Sequence, residues 1–197
     1  SDLYPDKGYR FEPVSEAELD RQRRVSFTNK YSFSILVPMY ETKPEFARAM
    51  INSVLIQTYP DWELILADAS KSNLVQDTVA SYTDKRIRYY RLAGNGGISE
   101  NTNAALGLAT GDYIGLLDHD DFLTPDALFE MASCLKKAEN DGKSVAFVYS
   151  DEDKCDSWAK WIRGMKADVQ KLKEEEARMA LRRKRMETTI SKAEDTM

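Results

Sequence analysis

Apolar and polar positions alternate along residues 34–149 in blocks that predict strands and helices in turn. Short apolar runs of five or six residues are typical of buried parallel strands. They occupy residues 34–39, 62–67, 87–92, 113–117 and 145–149. Between them apolar residues recur at helical spacing, as Phe46, Met50 and Val54 do. The alternation predicts an α/β fold with a mostly parallel sheet and helices on both faces.

Three of the predicted helices begin at residues that commonly cap a helix N-terminus. A Ser or Thr followed three residues later by Glu is a capping box, and Thr before Pro suits the N-cap and the first helical position. The pairs are Ser15 with Glu18, Thr42 with Glu45, and Thr124 with Pro125. Two further helices are predicted near residues 74–82 and 99–108. The first capping box predicts a short helix within an otherwise polar extension, residues 1–33.

The pattern changes at residue 157, where a segment without proline begins. Ten apolar positions follow a 4-3 spacing, which is typical of a coiled coil. They are residues 158, 162, 165, 169, 172, 179, 186, 190, 193 and 197, with Glu176 and Arg183 as the interruptions. We therefore predict an amphipathic helix over residues 157–197 that forms a homo-oligomer or binds a helical partner. A helix that packs on the preceding domain, or that rests on a membrane surface, is an open alternative.

Charge and composition exclude several functional classes. Residues 1–156 carry a net charge of −9 (17 Lys and Arg against 26 Asp and Glu), and residues 157–197 carry +4 (11 against 7). Nucleic-acid binding would require a basic main body, so no nucleic-acid partner is expected. There is no apolar run of the roughly 18 residues that a membrane span needs, and no apolar signal core. We expect a soluble, cytoplasmic protein, with contact at the inner face of the membrane possible in principle but not required.

Polar residues that suit ligand binding follow four of the predicted strands. In an open parallel sheet, ligands bind outside the carboxyl ends of the strands. The candidates in chain order are Pro38, Tyr40 and Glu41; Asp68 and Ser70; Asn95, Gly96 and Gly97; and Asp118, His119 and Asp120. These residues are therefore predicted to share one edge of the sheet.

Asp118 and Asp120 are the candidate metal ligands. Mg²⁺ and Mn²⁺ prefer oxygen ligands and commonly take one or two carboxylates together with diphosphate oxygens. The alternative is that this acidic run only begins the next loop, but its position after an apolar strand favours the metal site. His119 is a candidate phosphate or metal contact or a spacer. As the only histidine of the chain, it excludes a multi-histidine zinc site.

Two other loops have both a binding and a structural interpretation. Asp68 can accept a hydrogen bond from the imide N–H of a pyrimidine base, or it can cap a helix. Residues 95–97, Asn-Gly-Gly, have a backbone that can approach a ligand closely, or they form a tight turn. The loop is neither a Walker A sequence nor GxGxxG.

Taken together, these stretches resemble the family 2 glycosyltransferases of the GT-A fold. The matching residues are 34–40, 53–64, 95–103, 109–121 and 149–154. The last stretch and the helix near residue 18 are similar to the members that build bacterial surface polysaccharides such as O-antigen and rhamnan chains. The resemblance implies that residues 34–156 are the donor-binding half of the domain. It also implies a UDP- or dTDP-sugar donor, a saccharide acceptor, and Mn²⁺ or Mg²⁺.

The same resemblance implies roles for individual residues. Pro38, Tyr40 and Asp68 would line the base pocket, residues 95 to Asn103 would flank the ribose and phosphates, and Asp118 with Asp120 would hold ribose and metal. Ala67 and Glu41 depart from the family pattern, which often has Asp and Asn there. No residue can be assigned as the catalytic base, so we expect the acceptor half to be missing from this chain. Two hypotheses remain: a glycosyltransferase, or a catalytically incomplete nucleotide-binding module whose helix mediates assembly.

Overall fold

Strands and helices alternate through the part of the chain that the structure, a computed structural model, describes: residues 13–148. Within that range the elements are α1 (Glu16–Arg23), β1 (Phe33–Met39), α2 (Pro44–Leu55), β2 (Trp62–Asp68), α3 (Leu74–Val79), β3 (Ile87–Arg91), α4 (Ile98–Leu106), β4 (Tyr113–Leu116) and α5 (Ala127–Asn140). The predicted coiled-coil helix lies outside the described residues. In the described part, no helix is long and apolar enough to cross a bilayer.

The four described strands form one parallel sheet in the order β3-β2-β1-β4. The two central strands are almost wholly buried, which explains why they read as continuous apolar runs in the sequence. The chain leaves β1 toward β2 and β3 on one side, then returns to place β4 on the other side of β1. The strand order therefore reverses between β1 and β4.

Helices cover both faces of this sheet, as the sequence predicted. Alternate residues of β1 point to opposite faces. Ile35, Val37 and Met39 join a large core with apolar residues of α2, α3 and α5. Leu36 joins a smaller core on the other face, together with Ala105 of α4 and two residues of β2. The predicted α/β class with a mostly parallel sheet is confirmed.

One capping prediction is confirmed and two are wrong. Ser15 caps α1, because its Oγ accepts from the N–H of Glu18 at 3.3 Å. Thr42 does not cap α2: Pro44 takes the first helical position, so Lys43 becomes the N-cap. The Oγ1 atom of Thr42 is buried and has no hydrogen-bond partner among the described residues.

The third cap fails because tertiary hydrogen bonds hold residues 124 and 125 outside the helix. The carbonyl of Thr124 accepts from Gln57 Nε2 at 2.6 Å. The carbonyl of Pro125 accepts from the N–H of Thr58 at 2.9 Å. These bonds tie the segment to the end of α2, and α5 starts at Ala127 with Asp126 as its N-cap.

The predicted fifth strand is not present in its described part, residues 145–148. Val145 and Val148 are partly buried against the large core, while Phe147 between them is 79% exposed. Val145 and Val148, which pack against this core, are thus three positions apart in the apolar run. A strand also needs a hydrogen-bonded neighbour, and these residues do not join the described sheet.

Candidate functional site

The carboxyl ends of the strands meet at one edge of the sheet. Met39 pairs with Asp68, and Asp68 pairs with Arg91, so the loops after β1, β2 and β3 begin side by side. β4 runs beside β1 on the other flank, and the N–H of Leu117 donates to the carbonyl of Leu36 at 3.1 Å. The strand order reverses between β1 and β4, and open α/β sheets bind ligands outside the strand ends at such a point. The predicted site loops therefore share this edge.

The backbone N–H and the carboxylate of Glu41 form hydrogen bonds with the neighbouring loop, residues 70–72. Its N–H donates to Ser70 Oγ at 2.7 Å. Its Oε1 accepts from the N–H groups of Lys71 (2.7 Å) and Ser72 (3.1 Å), and its Oε2 accepts from Ser72 Oγ at 2.7 Å. The Ser72 hydroxyl, followed by the two backbone N–H groups, lowers the pKa of the Glu41 carboxyl. The residue also adopts a left-handed φ of 47°, which non-glycine residues rarely do.

Asp68, the candidate base contact, is completely buried. Its Oδ1 accepts from the N–H of Ser70 at 2.9 Å. Its Oδ2 accepts from Tyr89 Oη at 2.7 Å and from Arg91 Nη1 at 3.3 Å. A carboxylate has about four acceptor positions, so acceptor capacity remains on Oδ1. Burial, with the hydrogen bond to Asp68 second, raises the pKa of Tyr89 to about 12, so its hydroxyl stays a donor at neutral pH.

Arg91 belongs to the same cluster, although the sequence analysis did not single it out. Its Nη1 also donates to the carbonyls of Ser70 (2.7 Å) and Ser72 (2.8 Å), and its Nη2 donates to Asn73 Oδ1 at 2.6 Å. The available signal was a charged residue at the end of a β-strand, which pairs in register with an aspartate of the neighbouring strand. Reading it required the strand order, which the sequence does not give.

The loop after β3 is held by two asparagines. Asn95 Oδ1 accepts from the N–H of Gly97 at 3.0 Å and from Asn101 Nδ2 at 2.9 Å. Asn101, 4% exposed, returns a bond through its Oδ1 to the N–H of Gly96 at 3.3 Å. Gly97 has a φ of 87° and is the N-cap of α4. Asn103 lies two residues beyond Asn101 on an exposed side of α4, apart from this bonded group.

The acidic loop after β4 presents its carboxylates to solvent. Asp118 is exposed, the side chain of Asp120 is 58% exposed, and the N–H of Asp121 closes a turn onto the carbonyl of Asp118 at 3.2 Å. His119 lies between them with its Nδ1 buried and without a hydrogen-bond partner among the described residues. That nitrogen is 4.0 Å from Asp120 Oδ1, which is too long for a hydrogen bond.

The acidic loop fits a hard divalent cation as a partial ligand set. The described residues contain no group of three or more metal-ligating side chains. The carboxylates of Asp118 and Asp120 make no hydrogen bond to described residues. Two such carboxylates can hold Mg²⁺ or Mn²⁺ only if other ligands are added. Such cations usually keep waters and take oxygens from a bound diphosphate, so a two-carboxylate site suits them.

Pro38 and Tyr40 lie at the end of β1 beside this edge. Pro38 is half-buried opposite Ala67 of β2, and Tyr40 is 42% exposed. An exposed aromatic ring at the strand ends is a surface on which a planar base can stack. A separate hollow of about 440 Å³ lies between α1 and α5 and shares no residue with the strand-end loops.

The amino-acid sequence matches a model of glycosyl transferase family 2 over residues 34–190. The match extends past Asp156, so that residue marks the end of the motifs quoted above and not the end of the match. An uncharacterized protein, y4gI, of Sinorhizobium fredii is 41% identical over 61% of this chain and 13% of its own length. The O-antigen biosynthesis protein RfbC of Myxococcus xanthus is 30% identical over 63% of this chain and 10% of its own.

Two further matches have more specific names. The UDP-Glc:alpha-D-GlcNAc-diphosphoundecaprenol beta-1,3-glucosyltransferase WfgD of Escherichia coli is 31% identical over 61% of this chain and 46% of its own length. The crystal structure of residues 1–349 of TarS from S. aureus superposes with a TM-score of 0.50 and 25% identity, over 55% of this chain and 33% of that one. The chain thus spans less than half the length of each of these proteins.

Proposed function

Since the chain belongs to glycosyl transferase family 2, we propose that residues 34–156 bind a UDP- or dTDP-sugar through Mn²⁺ or Mg²⁺ for glycosyl transfer to a saccharide acceptor. The observation that carries the proposal is the pair of exposed carboxylates, Asp118 and Asp120, at the point where the strand order reverses. The resemblance to family 2 drawn from the sequence is confirmed. A relative named for O-antigen biosynthesis supports a role in polysaccharide synthesis.

Each loop has a separate task in this proposal. Asp118 and Asp120 hold the cation, which when bound neutralises charge on the departing nucleoside diphosphate. Tyr40 stacks on the base, and the loop formed by Asn95, Gly96 and Gly97 lies along the ribose and phosphates. His119 turns its Nδ1, which is buried without a described partner, toward a donor group or a water.

Base selection is assigned to Asp68. Its side chain is 0% exposed, so the side chains that cover Oδ1 have to move aside for a base to reach it. Its hydroxyl and guanidinium donors, Tyr89 and Arg91, both bond Oδ2, which leaves Oδ1 as the oxygen with spare acceptor capacity. Uracil and thymine have an imide N–H that such an oxygen can accept. Cytosine has an acceptor nitrogen at the same ring position. In a complex with CDP, Asp68 Oδ1 would face this ring nitrogen, and neither acceptor would gain a donor from the other. CDP is therefore the disfavoured ligand.

Replacing Asp68 by asparagine is expected to remove the preference for UDP over CDP. Tyr89 and Arg91 need an acceptor, so the amide oxygen takes the place of Oδ2, and the amide N–H₂ takes that of Oδ1, where it faces the N–H of Ser70 and offers the base no acceptor. The wild type should bind UDP more tightly than CDP by about 1–3 kcal/mol. Calorimetry with both nucleotides in Mn²⁺ measures this. Asp77→Asn, the same change at an exposed position of α3, is the control. An unchanged ranking in Asp68→Asn would leave Asp68 a purely structural acceptor.

A second candidate function is a catalytically incomplete module that binds nucleotide and assembles through its helix. It is favoured by the heptad pattern of apolar positions over residues 157–197, which predicts association of helices. No carboxylate of the described residues can be assigned as the catalytic base. Release of UDP from a UDP-sugar in the presence of saccharide acceptors separates the two functions. The assembly function requires UDP binding without turnover.

The heptad segment provides an independent test of assembly. Glu176 and Arg183 are seven residues apart at the same heptad position. An antiparallel pair of helices brings opposite charges together, whereas a parallel pair stacks like charges. We expect light scattering to show a dimer for the full chain and weaker association for Arg183→Glu. The double variant Glu176→Arg with Arg183→Glu should restore the dimer. A monomer in all three proteins would contradict self-association.

A further inference from the structure

We infer that Arg91 and Glu41 are positioning residues that hold the loop of residues 69–73 in one shape and so fix the oxygen of Asp68 that selects the base. Neither residue needs to touch the ligand. The inference rests on the proposed function, because it assigns a role in nucleotide discrimination. It also changes the interpretation of Glu41, which the sequence placed among the binding residues.

Arg91 forms hydrogen bonds with the loop from the side of β3. The side chain of Arg91 is 31% exposed, and its guanidinium group bonds four acceptors that all belong to residues 68–73. They are Asp68 Oδ2, the carbonyls of Ser70 and Ser72, and Asn73 Oδ1. The planar fork of arginine can serve several acceptors at fixed angles, which a lysine ammonium cannot do as well. The carbonyl side of the loop is thereby bound to a single cation.

Glu41 forms hydrogen bonds with the opposite side of the same loop. It accepts from the N–H groups of Lys71 and Ser72 and from the hydroxyl of Ser72, and its own N–H donates to Ser70 Oγ. The donors of the loop therefore face an anion, and its carbonyls face a cation. Glu41 adopts its left-handed φ of 47° while making these four bonds. Backbone strain of this kind is retained only where the surrounding contacts require it.

The connection to base selection runs through Ser70. Its N–H bonds Asp68 Oδ1, the oxygen assigned to the base, its Oγ bonds the N–H of Glu41, and its carbonyl bonds Arg91. A shift of this one residue changes the direction of Oδ1. Loss of either charged residue is therefore expected to reduce the difference in affinity between UDP and CDP. A general loss of stability would weaken both nucleotides alike.

The decisive quantity is the ratio of the Kd values of CDP and UDP, measured by calorimetry in Mn²⁺ on the full chain. Four variants are compared with the wild type: Arg91→Gln, Arg91→Lys, Glu41→Gln and Arg86→Gln. The last is a matched control, because Arg86 also flanks β3 and bonds a carboxylate (Asp84, 2.7 Å) and a carbonyl (Pro60, 3.0 Å), but at the opposite edge of the sheet. Thermal unfolding of each variant checks that it is folded.

We expect a wild-type ratio of roughly 5 to 150, which corresponds to the preference of about 1–3 kcal/mol at 1.4 kcal/mol per tenfold. Arg91→Gln should bring the ratio close to one, and Glu41→Gln and Arg91→Lys should give intermediate ratios. Arg86→Gln should keep the wild-type ratio even if it lowers the unfolding temperature. If Arg91→Gln does not fold, Arg91→Lys decides. Adding Arg91→Gln to Asp68→Asn should change the ratio no further, because the arginine acts through that carboxylate.

A wild-type ratio in folded Arg91→Gln and Arg91→Lys, together with an altered ratio in Asp68→Asn, would overturn the inference and leave the proposed function standing. Absence of UDP binding in the wild type would instead overturn the proposed function. An additive effect in the double variant would show that Arg91 acts on the base by another route and would also overturn the inference.

Discussion

Replacing Asp120 by alanine is expected to abolish the metal dependence of UDP binding. Asp120 supplies one of two exposed carboxylates at the end of β4, and the described residues contain no group of three or more metal-ligating side chains. Loss even of a supporting residue around a metal commonly costs 10–100-fold in affinity, so loss of a ligand should cost at least roughly 100-fold. Calorimetry of UDP with Mn²⁺ and with a chelator measures the effect in wild type and variant.

The matched control for this experiment is Asp141→Ala. Asp141 is also an exposed aspartate, with a side chain 51% exposed, and lies at the C-terminal end of α5, two residues after Glu139, which bonds Tyr31 just before β1. That position is at the opposite edge of the sheet, so the same change in net charge should leave metal-dependent binding intact. Equal UDP affinity with and without Mn²⁺ in the wild type would contradict a metal site at Asp118 and Asp120.

The second large effect expected is on stability, from replacing Glu63 by glutamine. Glu63 lies in β2, and its side chain is only 14% exposed. Its Oε1 accepts from Ser34 Oγ at 2.7 Å and from the N–H and hydroxyl of Thr110 at 2.7 and 2.9 Å. Its Oε2 forms a 2.5 Å salt bridge with Arg88. The carboxylate thus joins β1, β2 and β3 to the turn before β4.

The ionisation of Glu63 gives the expected size and the pH dependence of the effect. Burial alone would raise the pKa of this carboxyl, but the bonds from Ser34, Arg88 and Thr110 outweigh it and lower the pKa from 4.5 to about 2. A difference of this size corresponds to about 3 kcal/mol. Because the folded pKa is the lower one, this stability is present above pH 4.5 and is lost as the pH falls toward 2.

Urea unfolding of wild type and Glu63→Gln from pH 7 to pH 3 tests this expectation. At pH 7 the variant should be less stable by about 1–3 kcal/mol, because the amide lacks the charge and turns a donor toward some of the present donors. The difference between the two proteins should shrink as the pH falls below 4.5. Glu45→Gln, an exposed change in α2, should behave like the wild type. A difference that is constant over this range would contradict the role of the ionised carboxylate.

The positions of the strands were predictable because buried parallel strands are continuous apolar runs. The predicted first, second, third and fourth strands each agree with the structure within one residue at either end. Helix starts were less predictable, because a capping side chain competes with nearby prolines and with tertiary hydrogen bonds for the place where the helix begins. At Thr42 a following proline decided the cap, and at Thr124 bonds from Gln57 and Thr58 decided it. The strand predicted from the apolar run at residues 145–148 was wrong, because apolar residues alone do not show whether a neighbouring strand is present to form hydrogen bonds.

The candidate site was predictable as a set of loops but not as a network. The rule that ligands bind at strand ends selected Asp68, Asp118 and Asp120 as candidates without knowledge of the strand order. It did not identify Tyr89 and Arg91 as partners of Asp68, because that contact depends on the register of β3 against β2. It also assigned Glu41 to the ligand, whereas the structure engages its carboxylate with the backbone of residues 71 and 72.

The acidic loop is anchored on both sides, and this limits how much freedom a ligand must remove. Leu117 is fixed to Leu36 at the start, and the N–H of Leu123 donates to Ser53 Oγ at 3.1 Å at the end. Only residues 118–122 lie between the two anchors. Ordering one residue of free backbone costs about 1–2 kcal/mol of conformational entropy. Because the span is short and its ends are fixed in advance, the proposed cation site would need little ordering of the chain, and most of its binding free energy would be available to hold the diphosphate.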